Sequence, residues 1–290
     1  MQKYRVWISP RMVAFAGNLS MYMERTMITS LHNKSVKETA ALVARKKERD
    51  RRGLFVVEGI KMFGEAPVEL ISQVYLAESV EKEVYARFEE KLSGLPCEIV
   101  SDEVFGKMSD TVTPQGILCL VRQFSYSIED MLSEREKKQL LFIILEDIQD
   151  PGNLGTIFRT AEAAGADGVI MSSHTAEIYN PKTIRSTMGS IYRVPFLYAE
   201  ALSSIIKKLR EQGVSVYAAH LNGSDYDTGQ DYRKGTAFLI GNEAKGLREE
   251  TAACADALIR IPMEGQVESL NAAVASSILL YEAHRQRERD

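Results

Sequence analysis

The chain has 290 residues, of which 45% are hydrophobic and 26% are charged, and its formal net charge is -4. This composition is typical of a soluble globular protein with one large or two ordinary domains, and it excludes a protein that binds polyanions over its whole surface. The three cysteines and four histidines show no metal or redox spacing, so we expect no metal site and a reducing compartment, the cytoplasm. No apolar run reaches the roughly 18 residues that a membrane span requires.

The first 26 residues differ in character from the rest of the chain. Their apolar stretch is short, is interrupted by proline, arginine and glycine, and lacks a good cleavage signature. We therefore predict that residues 1–26 are a disordered extension, or a spurious one that results from an upstream start, with Met21 or Met27 nearer the true beginning. A targeting peptide is the less favoured alternative.

A basic helix is predicted next, over residues 34–52. Between Leu31 and Lys61 there are nine Lys or Arg residues and four Asp or Glu residues, a local net charge of +5 in an acidic protein. A solvated helix face is one interpretation of this charge. A surface that faces phosphate groups is the functional alternative.

Strand and helix patterns then alternate and predict a small α/β domain over residues 27–124. The polar and charged stretch 125–139 predicts a linker. Residues 140–290 again alternate strands and helices, apart from an irregular segment at 174–196. This order implies a mostly parallel sheet with both faces covered.

Three polar loops in the second domain each follow an apolar strand and precede a helix. They are DPGNLGTIFR at 150–159, GNEAKGL at 241–247 and PMEGQVESLN at 262–271. In a doubly wound sheet, loops at the carboxyl ends of strands can converge on one crevice. The candidate site residues are the polar side chains of these loops: Asn153, Arg159, Glu243, Ser269 and Asn271.

Each of these residues also has a purely structural interpretation. Asn153 and Ser269 are suited to cap the helices that follow them. Arg159 could pair with Glu162 on the helix surface, where an ion pair contributes little. Glu243 could complement the first turn of the next helix. The functional interpretation is favoured because the three loops occur together, each directly after a buried strand.

The common nucleotide and hydrolase signatures are missing from the sequence. There is no GxGxxG after a strand, no GxxxxGK[ST] and no GxSxG. This disfavours an ordinary Rossmann dehydrogenase, a P-loop NTPase and an α/β-hydrolase.

In their order and spacing, the three loops resemble the signature motifs of the SpoU (TrmH) family of RNA ribose 2′-O-methyltransferases, within the SPOUT superfamily. The motifs are DPGNLGTIFRTAEAAGADGV, FLIGNEAKGL and IPMEGQVESLNAAVASSILLYE, and the resemblance covers residues 140–285. Residues 33–123, with KSVKE, FVVEG and TPQGILCLV, resemble the ribosomal-protein-like domain that many members use to bind RNA. Ala244 departs from the family, which often has glycine there; its methyl group is tolerable unless φ is positive.

This resemblance implies a fold and a cofactor. The catalytic domain would be an α/β fold whose C-terminal part is threaded as a trefoil knot, an exception to the rule that chains are unknotted. S-adenosylmethionine would bind bent in the knot, and the family is typically dimeric, with the active site near the subunit interface. By position, the backbone groups that hold the cofactor would lie around Leu221, Gly241, Ile261 and Leu270.

The resemblance also places the five polar residues in the catalytic core, with Arg159 at its centre. Since a guanidinium has a pKa above about 12 and is a poor base, we predict that Arg159 clamps the target phosphate and stabilises the developing alkoxide. The proton would pass through it or to a phosphate oxygen. Asn153 and Asn271 would orient Arg159 and the substrate. Ser269 would order the last loop, and Glu243 would anchor the knot loop or balance the sulfonium charge.

The predicted function is therefore S-adenosylmethionine-dependent methylation of a ribose 2′-hydroxyl in RNA, an acceptor that DNA lacks. Ribosomal RNA of the 23S type is the favoured substrate; transfer RNA and a resistance-type methylation of ribosomal RNA are alternatives. A non-catalytic ribosome assembly factor is the alternative from another class. The expected partners are RNA and a second copy of the chain, with no membrane and no metal. The basic helix would contact phosphates through Lys34, Lys37, Arg45, Lys46 and Arg49.

Overall fold

A computed structural model describes residues 27–133, 139–267 and 269–288. The predicted extension, residues 1–26, lies outside the described residues, as does the 134–138 part of the predicted linker. The described chain forms two α/β regions, and each is built around one β-sheet.

The N-terminal region contains a four-stranded sheet with the spatial order β1-β4-β2-β3, in which only β2 and β3 are parallel. Its strands are β1 Leu54–Glu58, β2 Ile71–Ala77, β3 Cys97–Val100 and β4 Ile117–Arg122. Its helices are α1 Lys34–Ala44, α2 Lys46–Arg52, α3 Ile60–Glu65, α4 Glu81–Ser93 and α5 Asp102–Met108. Apart from a break in the predicted basic helix, this order of elements is the one that the sequence predicts.

The predicted basic helix is divided into two helices by a break at Arg45. The side chain of Asn33 caps the start of α1 by accepting a hydrogen bond from the N–H group of Ser35. Arg45 has an extended backbone, with φ of -133° and ψ of 118°, and ends α1. α2 ends at Gly53, whose φ of 61° is the left-handed conformation that favours glycine after a helix.

The C-terminal region contains a six-stranded parallel sheet with the order β10-β8-β9-β5-β6-β7. Its strands are β5 Leu141–Leu145, β6 Gly168–Ser172, β7 Phe196–Ala199, β8 Ser215–Asp225, β9 Thr236–Ile240 and β10 Ala257–Arg260. The helices that precede and cover it are α6 Ile128–Ser133, α7 Pro151–Ala163, α8 Pro181–Thr187, α9 Leu202–Glu211, α10 Glu249–Ala252 and α11 Ala272–Arg287.

Apolar side chains cover both faces of this sheet. Alternate residues of β5 belong to different apolar clusters, Ile143 and Leu145 to one and Phe142 and Ile144 to the other. Because side chains alternate between the faces of a strand, the two clusters lie on opposite sides of the sheet. The prediction of a parallel sheet covered on both faces is confirmed.

Two stretches are more regular than the sequence predicts. The predicted linker 125–139 contains α6, which buries Ile128 and Met131 against the sheet. The segment predicted to be irregular, 174–196, contains α8 and leads directly into β7. No described helix is long and apolar enough to cross a membrane.

The last helix, α11, is hydrogen-bonded to the residues with which the C-terminal region begins. The guanidinium of Arg287, at the end of α11, donates to the carbonyl oxygens of Gln139 and Leu140 at 2.8 and 3.1 Å. These two residues directly precede β5. The same side chain also donates to the carbonyl oxygens of Tyr232 and Lys234, just before β9.

Candidate active site

The three predicted polar loops lie together at the carboxyl edge of the parallel sheet. β5 and β9 are neighbours, and β8 separates β9 from β10. The first loop joins β5 to α7, the second runs from Gly241 to Arg248 after β9, and the third runs from Ile261 to Asn271 between β10 and α11. Direct hydrogen bonds connect all three.

Asn153 bridges the other two loops. Its Nδ2 donates to Oε1 of Glu243 at 3.0 Å, and its Oδ1 accepts from Nδ2 of Asn271 at 3.0 Å. The carboxylate of Glu243 also accepts from the backbone N–H groups of Gln149 and Asp150, at 3.2 and 3.4 Å. Three of the five predicted polar residues therefore form one continuous hydrogen-bonded set.

The two helices at this site are not capped by Asn153 and Ser269, the residues that the sequence suggests. α7 is capped by Asp150, whose Oδ1 accepts from the N–H group of Asn153 at 2.8 Å. α11 is capped by Asn271 and not by Ser269. The Oδ1 of Asn271 accepts from backbone N–H groups of α11 while its Nδ2 reaches Asn153, so one side chain both caps a helix and joins two loops.

Hydrogen bonding lowers the pKa of the Glu243 carboxyl group. Burial alone would raise this pKa, but the side chain of Asn153 and the backbone N–H groups of Glu243, Gln149 and Asp150 together outweigh it. Glu243 is therefore ionised at neutral pH and can accept all of these hydrogen bonds. It does not complement the first turn of the next helix, because that helix begins only at Glu249, six residues later.

Arg159 lies on the exposed side of α7. Its alternative partner, Glu162, is bound instead to Arg193 and to Ser190. Within the three described ranges, no ion pair or hydrogen bond engages the Arg159 guanidinium, so Asn153 and its partners do not orient it inside one chain. No described residue therefore occupies this cation, which is exposed.

A cavity of about 310 Å³ opens beside the hydrogen-bonded set. It lies between the end of β8 and the loops that follow β9 and β10. Glu243 and Ser269 line the cavity on the side of the hydrogen-bonded set. All four residues predicted around the cofactor also line it: Leu221, Gly241, Ile261 and Leu270.

The second loop turns so tightly that glycine is required at its start. A Cβ atom on Gly241 would lie 2.3 Å from the backbone carbon of Gly246 and 2.3 Å from the nitrogen of Leu247. The loop closes as a bridge between Asn242 and Gly246. Ala244 fits this turn, since it is not among the described non-glycine residues with positive φ.

Two residues that the sequence analysis missed anchor this loop. Glu146 is only 1% exposed, and its carboxylate accepts from the backbone N–H and the Nε of Arg248, both at 2.8 Å, and from the hydroxyl of Thr251. Asn242 donates its Nδ2 to the carbonyl oxygen of Asp147 at 2.7 Å. The signal in the sequence is the carboxylate that ends the apolar run LLFIILE, since a buried charge requires partners.

Of the five cations predicted to contact RNA, four are exposed and one is buried. The side chain of Arg49 is buried, and the prediction that it contacts RNA is wrong. Its Nε and Nη2 donate to Glu177 at 2.6 and 2.5 Å, and its Nη1 donates to the carbonyl oxygens of Leu42 and Val43. The four exposed positions are Lys34, Lys37, Arg45 and Lys46.

The described residues include no group of three or more His, Cys, Asp or Glu side chains that could hold a metal ion. The polar groups of the site are instead amides, a carboxylate and a guanidinium. Such groups can orient reactants and balance charge beside an apolar cavity.

Comparison with known proteins gives a match to each half of the chain. Residues 140–281 match the family described as the SpoU rRNA Methylase family, and residues 33–119 match the MRM3-like substrate binding domain. The 23S rRNA (guanosine(2553)-2′-O)-methyltransferase RlmP of Bacillus subtilis is 33% identical over 262 residues, which cover 88% of this chain and 97% of that protein.

Two solved structures share the fold over nearly the whole described chain. The AdoMet-bound rRNA methyltransferase from Sinorhizobium meliloti is 35% identical, with a TM-score of 0.78, over 90% of this chain and 97% of that one. The SpoU methyltransferase AviRb from Streptomyces viridochromogenes, in complex with the cofactor AdoMet, is 26% identical, with a TM-score of 0.80. The match covers 89% of this chain and 99% of that one. The predicted fold class is confirmed.

Proposed function

Because this chain belongs to the SpoU family of rRNA methylases, we propose that it methylates one ribose 2′-hydroxyl in ribosomal RNA of the 23S type. The chain is an S-adenosylmethionine-dependent RNA methyltransferase, which excludes the assembly factor without catalytic activity. One observation supports the reaction above all: a cavity lined by the four expected cofactor residues adjoins the set Asn153–Glu243–Asn271. Ribosomal RNA as the substrate implies action in the cytoplasm.

The residues of the cavity fit the cofactor. Leu221, Gly241, Ile261 and Leu270 surround it with backbone groups and apolar side chains, which suit the adenine and ribose portions. The ionised carboxylate of Glu243 lies on the cavity wall, where it would balance the positive charge of a bound sulfonium. When bound, S-adenosylmethionine supplies an activated methyl group, so the protein has to position the acceptor oxygen and exclude water.

Arg159 acts on the acceptor side. Its guanidinium binds the phosphate next to the target ribose and stabilises the alkoxide that develops on the 2′-oxygen. The proton leaves through this guanidinium or to a phosphate oxygen. Positioning the acceptor oxygen for attack can contribute about 7–11 kcal/mol to lowering the barrier. The hydrogen bonds among Asn153, Glu243 and Asn271 hold the three loops in fixed positions relative to one another.

A second copy of the chain completes the site in this proposal. α11 presents Val274 and Tyr281, which are 47% and 48% exposed. They are seven residues apart and therefore lie on one face of the helix, with the half-buried Ile278 between them. Such an apolar stripe is typical of an interface. α11 packs against α7, which carries Arg159, through contacts such as that between Thr160 and Ser277, 3.0 Å apart.

The N-terminal region supplies the remaining RNA contacts. Its match to a substrate-binding domain supports this role. The exposed cations of α1 and α2 would bind phosphates in a sequence-independent way, while the catalytic domain selects the ribose. The contacts are proposed for Lys34, Lys37, Arg45 and Lys46.

The decisive experiment maps 2′-O-methyl groups in total RNA from cells with and without this gene. We expect one ribose in the large ribosomal RNA to lose its methyl group. Purified protein and labelled S-adenosylmethionine should restore that methyl group on a transcript of the same RNA. Loss of a methyl group from transfer RNA alone would overturn the proposed substrate, and methylation of a base would overturn the proposed reaction.

A further inference from the structure

The ion pair between Arg49 and Glu177 joins the basic helices to the catalytic domain. Its two side chains are 3% and 13% exposed, and the closest nitrogen and oxygen atoms are 2.5 Å apart. Neither residue is part of the cavity or of the hydrogen-bonded set at the active site. We propose that Glu177, acting through Arg49, positions the break between α1 and α2 so that Arg45 and Lys46 face RNA. The proposal rests on the RNA-binding surface proposed above.

The buried side chain of Arg49 stabilises the break between α1 and α2. The last turn of a helix leaves carbonyl oxygens without partners, and the Nη1 of Arg49 binds two of them, those of Leu42 and Val43, at 2.5 and 3.0 Å. The other side of the same guanidinium binds Glu177. One buried side chain therefore fixes both the end of α1 and the direction in which α2 leaves it.

The segment around Glu177 is bonded to the active-site edge. The N–H group of Ala176 donates to the carbonyl oxygen of Ile148 at 2.7 Å, in the loop that leads from β5 to α7. The next residues of that loop, Gln149 and Asp150, donate to Glu243. A short series of contacts thus runs from the basic helices to the site, and it sets where Arg45 and Lys46 stand relative to the reacting ribose.

The direction of the change in RNA affinity distinguishes a positioning role of Glu177 from a simple effect of its charge. Removing the negative charge of Glu177 makes the protein more positive, which alone would tighten RNA binding. If Glu177 positions the cations, its loss weakens RNA binding instead. Asp50 offers a matched control, because it is an exposed carboxylate on α2 and its removal changes the net charge equally.

The test compares Glu177→Gln with Asp50→Asn in the full chain, with ribosomal RNA as the probe over a range of salt concentrations. We expect Glu177→Gln to weaken RNA binding about fivefold or more and to flatten the salt dependence by about one to two phosphate contacts. Asp50→Asn should bind RNA as tightly as wild type or more tightly. S-adenosylmethionine affinity should stay within about twofold in both variants, which shows that the fold is intact.

A second variant covers the case in which Glu177→Gln disturbs folding. Combining Arg49→Met with Glu177→Leu leaves the net charge unchanged and leaves no buried charge unpaired, a replacement that proteins often tolerate. It should retain cofactor binding and still lose RNA affinity. RNA affinity equal to wild type in this variant, or an effect of Glu177→Gln equal to that of Asp50→Asn, would overturn the proposal.

A further pair of substitutions separates this inference from the proposed RNA surface. Arg45→Ala with Lys46→Ala should weaken RNA binding if that surface is correct. A normal RNA affinity in this variant would show that the surface itself is wrong. Weakened binding there, with normal binding in the Glu177 variants, would reject only the positioning role.

Discussion

The two sides of the active site are built in different ways. On the cofactor side, Glu146 and Asn242 hold the loop after β9 against the end of β5, and the loop itself turns too tightly for any side chain at Gly241. On the acceptor side, Arg159 has no partner among the described residues, and α11 exposes an apolar stripe. In the function proposed above, the chain prepares the site of the methyl donor by itself, and RNA and a second subunit complete the acceptor side.

The largest effect is expected on the acceptor side. Arg159→Ala should lower the rate of methyl transfer by about a thousandfold or more, because the phosphate clamp and the charge that stabilises the alkoxide are both lost. Cofactor affinity, measured by calorimetry, should stay within about twofold. Arg159→Lys is the matched control: it keeps the charge but loses the planar fork, so its rate should lie in between. Turnover similar to wild type in Arg159→Ala would refute this role.

A substitution on the cofactor side should instead lower the affinity for S-adenosylmethionine. Gly241→Ala would place a methyl group 2.3 Å from backbone atoms of Gly246 and Leu247, so the second loop has to move. We expect S-adenosylmethionine affinity to fall about a hundredfold. Gly265→Ala in the third loop is the control, because no atom lies within 4 Å of a Cβ atom there. Equal cofactor affinity in the two variants would show that the tight turn is not needed.

The anchor of the loop should affect stability as well as binding. Glu146→Ala removes the hydrogen bonds to Arg248 and Thr251, and losing bonds to a charged group costs about 1.5–3 kcal/mol. We expect denaturant unfolding to show this loss and cofactor affinity to fall about tenfold. Glu250→Ala removes the 81%-exposed carboxylate that lies 3.9 Å from Arg248 and should change neither quantity. A stable Glu146→Ala protein with normal affinity would contradict the anchoring role.

The smallest effect is expected farthest from the reacting atoms. Arg45→Glu combined with Lys46→Glu should weaken RNA binding and reduce the salt slope by about two phosphate contacts, with cofactor affinity unchanged. Lys207→Glu combined with Lys208→Glu on α9 is a control with the same change of charge. If the two double variants give the same salt slope, the break between α1 and α2 is not a phosphate-binding surface.

Much of the site was predictable from the sequence because its parts follow strong strand patterns. Apolar runs that end in polar, glycine-containing loops place those loops at one edge of a parallel sheet. This reasoning predicted that Asn153, Glu243 and Asn271 lie together, as they do. The residues around the cavity, such as Leu221 and Gly241, came instead from the resemblance to the SpoU family.

The features that escaped prediction depend on contacts between distant parts of the chain. Arg49 is one of several cations in a basic stretch, and only the position of Glu177 in space makes it a buried residue. Glu146 is not among the predicted site residues, because its partners come about a hundred residues later in the chain. α8 and β7 were missed because the irregular segment 174–196 mixes prolines, glycine and polar residues without a clear period.

The contact of Arg287 with Gln139 and Leu140 has a consequence for the order in which the enzyme forms. The bond joins residues 148 and 147 positions apart, and the same helix begins with Asn271, which completes the active-site set. A chain emerges from the ribosome with its N-terminal part first. The strands of the catalytic domain are therefore synthesised before the helix that covers them. A nascent chain therefore lacks the complete set Asn153–Glu243–Asn271 until α11 has been synthesised and has docked.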